Sequence, residues 1–177
     1  TGVDRVFLVP GGGNMFLVDA VATQDGIEFV ATHHEQSAVI AAEYYSRVSG
    51  KIGVALVTTG PGSTNAVTGI AGAWLDSIPV LVLAGQVKTS DLNTGNKLRQ
   101  KGPQEIDLVS MVAKISKFSM TCLEAKNCVA DIAVGLRKAV DGRPGPVVFE
   151  IPLDIQSSVV DSMTVKRSEN KKVAEQS

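Results

Sequence analysis

The sequence predicts an α/β fold: a three-layer sandwich with a central, mainly parallel six-stranded sheet flanked by helices. Three observations lead there. Apolar runs of strand length recur six times, several of them are continuous rather than alternating, and helical patterns occupy the gaps between them. A continuous apolar run suits a strand covered on both faces. A gap long enough to hold a helix lets successive strands lie parallel through a crossover, which sets helices against the sheet.

In chain order, the first strand is expected at Val6 to Val9, leading into Pro10-Gly11-Gly12-Gly13, and the second at Ile27 to Ala31, leading into His33-His34-Glu35. A helix from about Glu35 to Arg47 follows, with Ala38, Ala41, Ala42 and Tyr45 on one face. The third strand, Ile52 to Val57, ends in Thr58-Thr59-Gly60-Pro61-Gly62, and the next helix, Ser63 to Asp76, carries Gly69, Gly72 and Ala73. Small residues let both helices approach the sheet or a partner closely. The fourth strand, Val80 to Leu83, leads into Ala84-Gly85-Gln86 and then a polar loop, Lys88 to Pro103, a candidate lid. Strands at Ile115 to Met120 and Val147 to Ile151 flank a helix whose apolar stripe is Val129, Ile132, Ala133, Leu136 and Val140. That helix is expected to end at Gly142, with Pro144 just beyond.

With 177 residues, 44% hydrophobic and 20% charged, the chain is long enough for one good core and short for two. Residues 1–161 are assigned to that domain and residues 162–177, rich in Lys, Glu and Ser, to a polar linker or tail. A net charge of -1 with mixed signs gives no field to gather nucleic acid or an anionic membrane. Cys122 and Cys128 form no CxxC pair and stand away from the histidines, so they read as reduced thiols. No apolar run has the length of a membrane span and no signal-peptide pattern opens the chain, which points to a cytoplasmic protein. The start at Thr1, without Met, suggests a piece of something longer.

In an open parallel sheet, ligands gather beyond the carboxyl ends of the strands, where four of these loops fall. The triple glycine and Gly60-Pro61-Gly62 either expose N–H groups to a flat or anionic ligand or serve only as tight turns. Neither a G-x-G-x-x-G fingerprint nor a G-x-x-x-x-G-K-[ST] loop is present, which weakens both nucleotide readings. Glu35 stands in a first helical turn, where a carboxylate stabilises the positive end of the dipole with or without a catalytic duty. The adjacent His33 and His34 point in different directions on any regular element and cannot chelate together; one is expected exposed and one near the site. Ser63 and Thr64 either cap the following helix or touch a ligand, and Trp74 falls to core or interface. A G-x-S-x-G nucleophile elbow is absent.

Together, Val6-Phe7-Leu8-Val9-Pro10-Gly11-Gly12, His34-Glu35-Gln36, Thr58-Thr59-Gly60-Pro61-Gly62-Ser63-Thr64-Asn65 and Asp76-Ser77-Ile78-Pro79 resemble the amino-terminal domain of acetolactate synthases and their thiamine-diphosphate relatives. The likeness continues through Gly85-Gln86-Val87, Gln104-Glu105-Ile106-Asp107 and Gly142-Arg143-Pro144-Gly145-Pro146-Val147 to Ile151-Pro152-Leu153-Asp154. It implies a pyrimidine-binding domain in which Glu35 hydrogen-bonds N1′ of thiamine diphosphate and Gly11, Gly12, Thr58, Pro61, Asn65 and Gln104 contact the cofactor. A proton shared with N1′ favours the form of the 4′-amino group that takes the thiazolium C2 proton. Apolar surroundings at the rim are expected to desolvate Glu35 and so raise its pKa.

The resemblance further implies decarboxylation and carboligation of 2-oxo acids such as pyruvate. It places Mg2+ on a pyrophosphate-binding domain that these residues lack, with that domain supplied by a second subunit of a homo-oligomer, a dimer or tetramer. The isolated chain is therefore expected to be inactive. FAD is left open for a full-length enzyme and is not supported by these residues. Val9 stands where acetolactate synthases usually have Tyr, Pro103 where they usually have Phe, and the preceding loop is longer, which bears on substrate choice. Two alternatives stand beside this reading: a non-catalytic or regulatory α/β module, and the pyrimidine-domain subunit of a two-chain 2-oxo acid decarboxylase.

Overall fold

The computed structural model describes residues 2–93, 95 and 98–160. The expected tail, residues 162–177, lies outside them. The strands are β1 (Arg5–Leu8), β2 (Glu28–Ala31), β3 (Gly53–Val57), β4 (Val80–Gln86), β5 (Phe118–Thr121) and β6 (Val147–Pro152). Between them run α1 (Met15–Thr23), α2 (Glu35–Ser49), α3 (Pro61–Asn65), α4 (Val67–Leu75), α5 (Leu108–Val112) and α6 (Ala125–Val140), with α7 (Leu153–Gln156) after the last strand. The six strands form one sheet in the order β2-β1-β3-β4-β6-β5. Every neighbouring pair is parallel. The sandwich expected from the sequence is thus present, with a sheet that is parallel throughout.

Alternation along β1, β3, β4 and β6 feeds two cores, as a side-chain period of two requires, while the edge strand β2 is exposed throughout. Phe7, Ala55, Val57, Val80, Val82 and Val148 pack under α2, α4 and α5 through Ala38, Val39, Ala42, Ile70, Ala73, Leu108 and Val112. Val6, Leu8, Val54, Leu56, Leu81, Val147, Phe149 and Ile151 face α1, α6 and α7. Both cysteines are buried in this second core and neither forms a disulfide among the described residues. Glycine permits the close packing of α2 on α4: a Cβ on Gly69 would fall 2.7 Å from Val39 Cβ. Arg47 adds an ion pair across that seam, bonding Glu43 and Asp76.

Several local expectations are corrected. The helix expected from Ser63 to Asp76 is two helices, because Ala66 ends α3 and caps α4. Neither Ser63 nor Thr64 caps a helix; their hydroxyls donate to Gly60 O and Pro61 O. The fifth strand begins at Phe118, since Ile115 packs instead against the α2 core. On α6 the buried line runs through Cys128, Val134, Gly135 and Ala139, leaving Val129 and Val140 exposed. A Cβ on Gly135 would meet the Phe149 ring at 2.5 Å, so this glycine lets α6 sit close on β6, with Ile132 and Leu136 of the expected stripe packed against the second core. Trp74 is half-exposed and lines a cavity of about 400 Å³ with Leu75, Lys117, Asp141, Arg143 and Pro144. No helix among the described residues is long and apolar enough to cross a membrane.

Candidate functional site

Strand order locates a crevice. From β1 the chain moves outward to β2, then returns across β1 to β3, so β1 and β3 are neighbours whose following helices leave toward opposite faces. Such a switch point opens a gap beyond the carboxyl ends of the strands. The loops entering this gap are Val9 to Asn14 from β1 and Thr58 to Gly60 from β3, and α2 begins beside them at Glu35.

His34 adopts extended backbone and caps α2, its Nδ1 accepting from Gln36 N at 3.1 Å. This fixes where the helix starts and sets Glu35 at its first position. Both histidines are exposed, so the expectation of one at the site resolves into a capping His34 and an outward His33. Glu35 Oε2 accepts from Asn65 Nδ2 at 2.9 Å, which joins α2 to the end of α3. The carboxylate is only half-buried in this chain. Full desolvation of Glu35 therefore needs a second surface over the rim.

The glycines hold this rim together by what they lack. A Cβ on Gly11 would lie 2.6 Å from Thr58 Oγ1, and one on Gly62 would lie 2.5 Å from Thr58 Cγ2 and 3.2 Å from Glu35 Oε1. Thr58 thus sits between the two loops, and its hydroxyl accepts from Gly13 N at 3.1 Å. On Gly13 itself a Cβ would overlap Thr59 Oγ1 at 1.8 Å. Gly12 is exposed, with nothing within 4 Å of its Cβ position. Asn14 closes the first loop, accepting from Gly11 N at 2.8 Å and donating to Val9 O. Behind it, Gln156 Nε2 donates to Gly13 O at 2.7 Å.

Gln104 reaches the same rim from the long loop. Gly60 has φ +64°, and a Cβ there would strike Gln104 O at 2.1 Å, so the Gln104 backbone lies directly on the turn before the exposed Pro61. Gln104 is itself left-handed, with φ +62°. Glu105 folds the preceding loop, accepting from Lys101 N at 2.7 Å and Gly102 N at 3.3 Å, and also from Asn93 N. Burial opposes charge on Glu105, but these backbone donors outweigh it and hold the pKa below its ordinary value. The structure therefore brings Gly11, Gly12, Glu35, Thr58, Pro61, Asn65 and Gln104 to one rim.

Over β4, the expected rim loop Ala84-Gly85-Gln86 meets two residues that were not expected to carry function, Glu150 on β6 and Thr121 on β5. Glu150, 2% exposed, interrupts an otherwise apolar β6. Its Oε1 accepts from Gln86 Nε2 at 2.8 Å and from Leu108 N at 3.3 Å, and its Oε2 is bonded by Thr121 Oγ1 at 2.9 Å. Burial pushes its pKa up to about 7, with the nearby Asp107 adding to the shift and the hydrogen bonds opposing it. A cavity of about 230 Å³ opens here, bordered by Gln86, Glu105, Asp107, Thr121 and Glu150. The signal in the sequence was a single carboxylate within Val147-Val148-Phe149-Glu150-Ile151.

Comparison with known proteins agrees with this geometry. The chain is 42% identical over 154 residues to the acetolactate synthase isozyme 3 large subunit of Escherichia coli, covering 87% of this chain and 26% of that protein. It is 42% identical over 156 residues to the acetolactate synthase large subunit of Lactococcus lactis, covering 88% and 26%. To the chloroplastic acetolactate synthase of Arabidopsis thaliana it is 37% identical over 158 residues, covering 89% and 23%. The chain thus spans about a quarter of the length of these relatives. Residues 1–111 match the family model described as thiamine pyrophosphate enzyme, N-terminal TPP binding domain, and the chain belongs to that family.

Proposed function

We propose that this chain is the pyrimidine-binding domain of an acetolactate synthase-like enzyme that decarboxylates and ligates 2-oxo acids such as pyruvate, with Glu35 activating thiamine diphosphate. One observation carries the reading: Glu35 opens a helix at the switch-point crevice, with one oxygen fixed by Asn65 and the other 3.2 Å from where a side chain on Gly62 would begin. Those features fit a flat ring bearing a basic nitrogen. Gly11, Gly12, Thr58, Pro61, Asn65 and Gln104 would line the ring; the glycines let it approach the backbone.

When bound, thiamine diphosphate supplies the electron sink for loss of CO2 from the 2-oxo acid. Glu35 holds a proton against the pyrimidine N1′, and Asn65 keeps the carboxylate turned to that task. The half-buried state of Glu35 supports a site completed by a second surface, which we assign to the pyrophosphate-binding domain of a second subunit in a homo-oligomer. Mg2+ belongs to that domain in this proposal, and no flavin contact is assigned to these residues. On this account the chain alone does not turn over.

The test is thiamine-diphosphate-dependent CO2 release from pyruvate by the complete polypeptide in which this chain occurs, comparing Glu35 with Glu35→Gln. A loss of about 10²-fold or more with an unchanged fold supports the role, since an acid–base group contributes on that order. Equal rates would remove Glu35 from the chemistry and favour a non-catalytic module.

A further inference from the structure

Two residues beyond Gln104 the chain is gripped from the half of the rim over β4 and β6. Gln86 Nε2 donates to Ile106 O at 2.8 Å as well as to Glu150, while Gln86 Oε1 accepts from Val87 N at 2.8 Å. Its amide is therefore fixed in one orientation, with N and O each committed. Glu150 accepts from both Gln86 and Leu108 N, so the backbone is held on either side of Asp107. Between this grip and Gly60, Gln104 is kept in a left-handed conformation that a free chain would leave.

We infer that Glu150 is a positioning residue: through Gln86 and Leu108 N it clamps the Ile106 to Leu108 backbone and so fixes Gln104 over the Gly60-Pro61 turn. The inference rests on the cofactor reading of that rim. The carboxylate is suited to the task because its two oxygens do different work. Oε1 faces two donors that cannot reverse, a committed amide and a backbone N–H. Oε2 faces a hydroxyl, which donates to a carboxylate and accepts from a carboxylic acid with equal ease. A proton arriving at Glu150 thus settles on Oε2, Thr121 turns its hydroxyl, and the clamp on Oε1 persists. A pKa near 7 brings both states within reach at neutrality, and the arrangement tolerates both.

The conservative variant should therefore rescue what truncation destroys. Glu150→Gln keeps an acceptor toward Gln86 and Leu108 and offers its amide to Thr121. Thiamine diphosphate affinity of the complete polypeptide is measured by calorimetry, with folding followed by circular dichroism. Glu150→Ala is expected to weaken binding about tenfold or more, because small misplacements of a positioned group are costly. Glu150→Gln is expected to stay within about twofold, since its hydrogen bonds are retained. On a Gln104→Ala background, Glu150→Ala should add little, as two changes acting through one contact are not additive.

If Glu150→Ala does not fold, Glu150→Met, which fills the volume without an acceptor, takes its place with the same expectations. Wild-type affinity in a folded Ala or Met variant, full additivity with Gln104→Ala, or a Gln variant as weak as Ala would overturn the inference. Its failure is separable from failure of the cofactor reading. In the first case wild type binds the cofactor and Glu35→Gln loses activity while Glu150→Ala is silent; in the second, wild type does not bind and both fall.

Discussion

Over β1 and β3 the rim is built of backbone, short side chains and one carboxylate, with open space at Gly12. Over β4, β6 and β5 Gln86, Glu150 and Thr121 border the cavity of about 230 Å³, and their polar atoms bond one another and the α5 backbone. The difference separates a surface left incomplete for a ligand from one completed for support. A group that must meet an incoming ring keeps some hydrogen-bonding capacity in reserve, as Glu35 does with a single fixed oxygen. A group that must hold a loop still has both oxygens engaged, as Glu150 does, because a buried polar atom without a partner is costly.

Gly60 is where the two halves touch, and replacing it should produce the largest effect. Gly60→Ala combines a side chain at φ +64° with a Cβ driven into Gln104 O, and we expect a loss of about 4 kcal/mol in stability. Urea unfolding measures it; a loss below about 1 kcal/mol would mean that the halves are not coupled through this turn.

The next effect distinguishes the halves by pH. Glu150 has a folded-state pKa of about 7 against an ordinary value of 4.5, so the folded chain holds this proton more tightly than the unfolded chain. Its contribution is fully present below pH 4.5 and is lost as pH rises through 7, a decline of about 3 kcal/mol at most. Asp107 and Glu105 border the same cavity, and ionised Asp107 enlarges the shift. Asp154 opposes the trend at acid pH: burial raises its pKa, but bonds from Thr89 outweigh that and lower it, so its stabilisation is lost as pH falls. The clean observable is the difference between wild type and Glu150→Gln, whose stability should lack the decline between pH 4.5 and 7. Parallel curves for the two proteins would show that Glu150 does not titrate in this range.

On the open half, Asn65→Ala should cost only about 1 kcal/mol of stability, since its partner Glu35 can turn to water. Its effect on thiamine diphosphate affinity should exceed its effect on melting temperature. The reverse ranking would make the Asn65–Glu35 bond a helix joint rather than part of a site.

Much of the architecture was legible because parallel strands and the turns that follow them have local signatures. All six strands announced themselves as apolar runs, and the four loops that converge on the rim were marked by glycine, proline and Glu35. Less legible were features decided by tertiary contact. The close seat of α6 follows from Gly135 against Phe149, and the break at Ala66 coincides with its N–H donating to Ser63 O, neither of which a periodicity can report. Glu150 was hidden for a related reason: its partners lie on β4, β5 and α5, distant in sequence and brought together only by the sheet.

The order β2-β1-β3-β4-β6-β5 also governs how the chain must assemble. No two neighbouring strands are joined by a hairpin; even β1 and β2 are separated by α1, and Val6 finds its second partner only at Val54. Each pairing closes a loop before it is rewarded, so this domain should be a slow folder for its size, in the millisecond-to-second range or about there. During synthesis β1 emerges before either partner, and after β2 has paired its other edge stays unfilled until β3 arrives, which leaves that edge of the nascent chain exposed to mispairing.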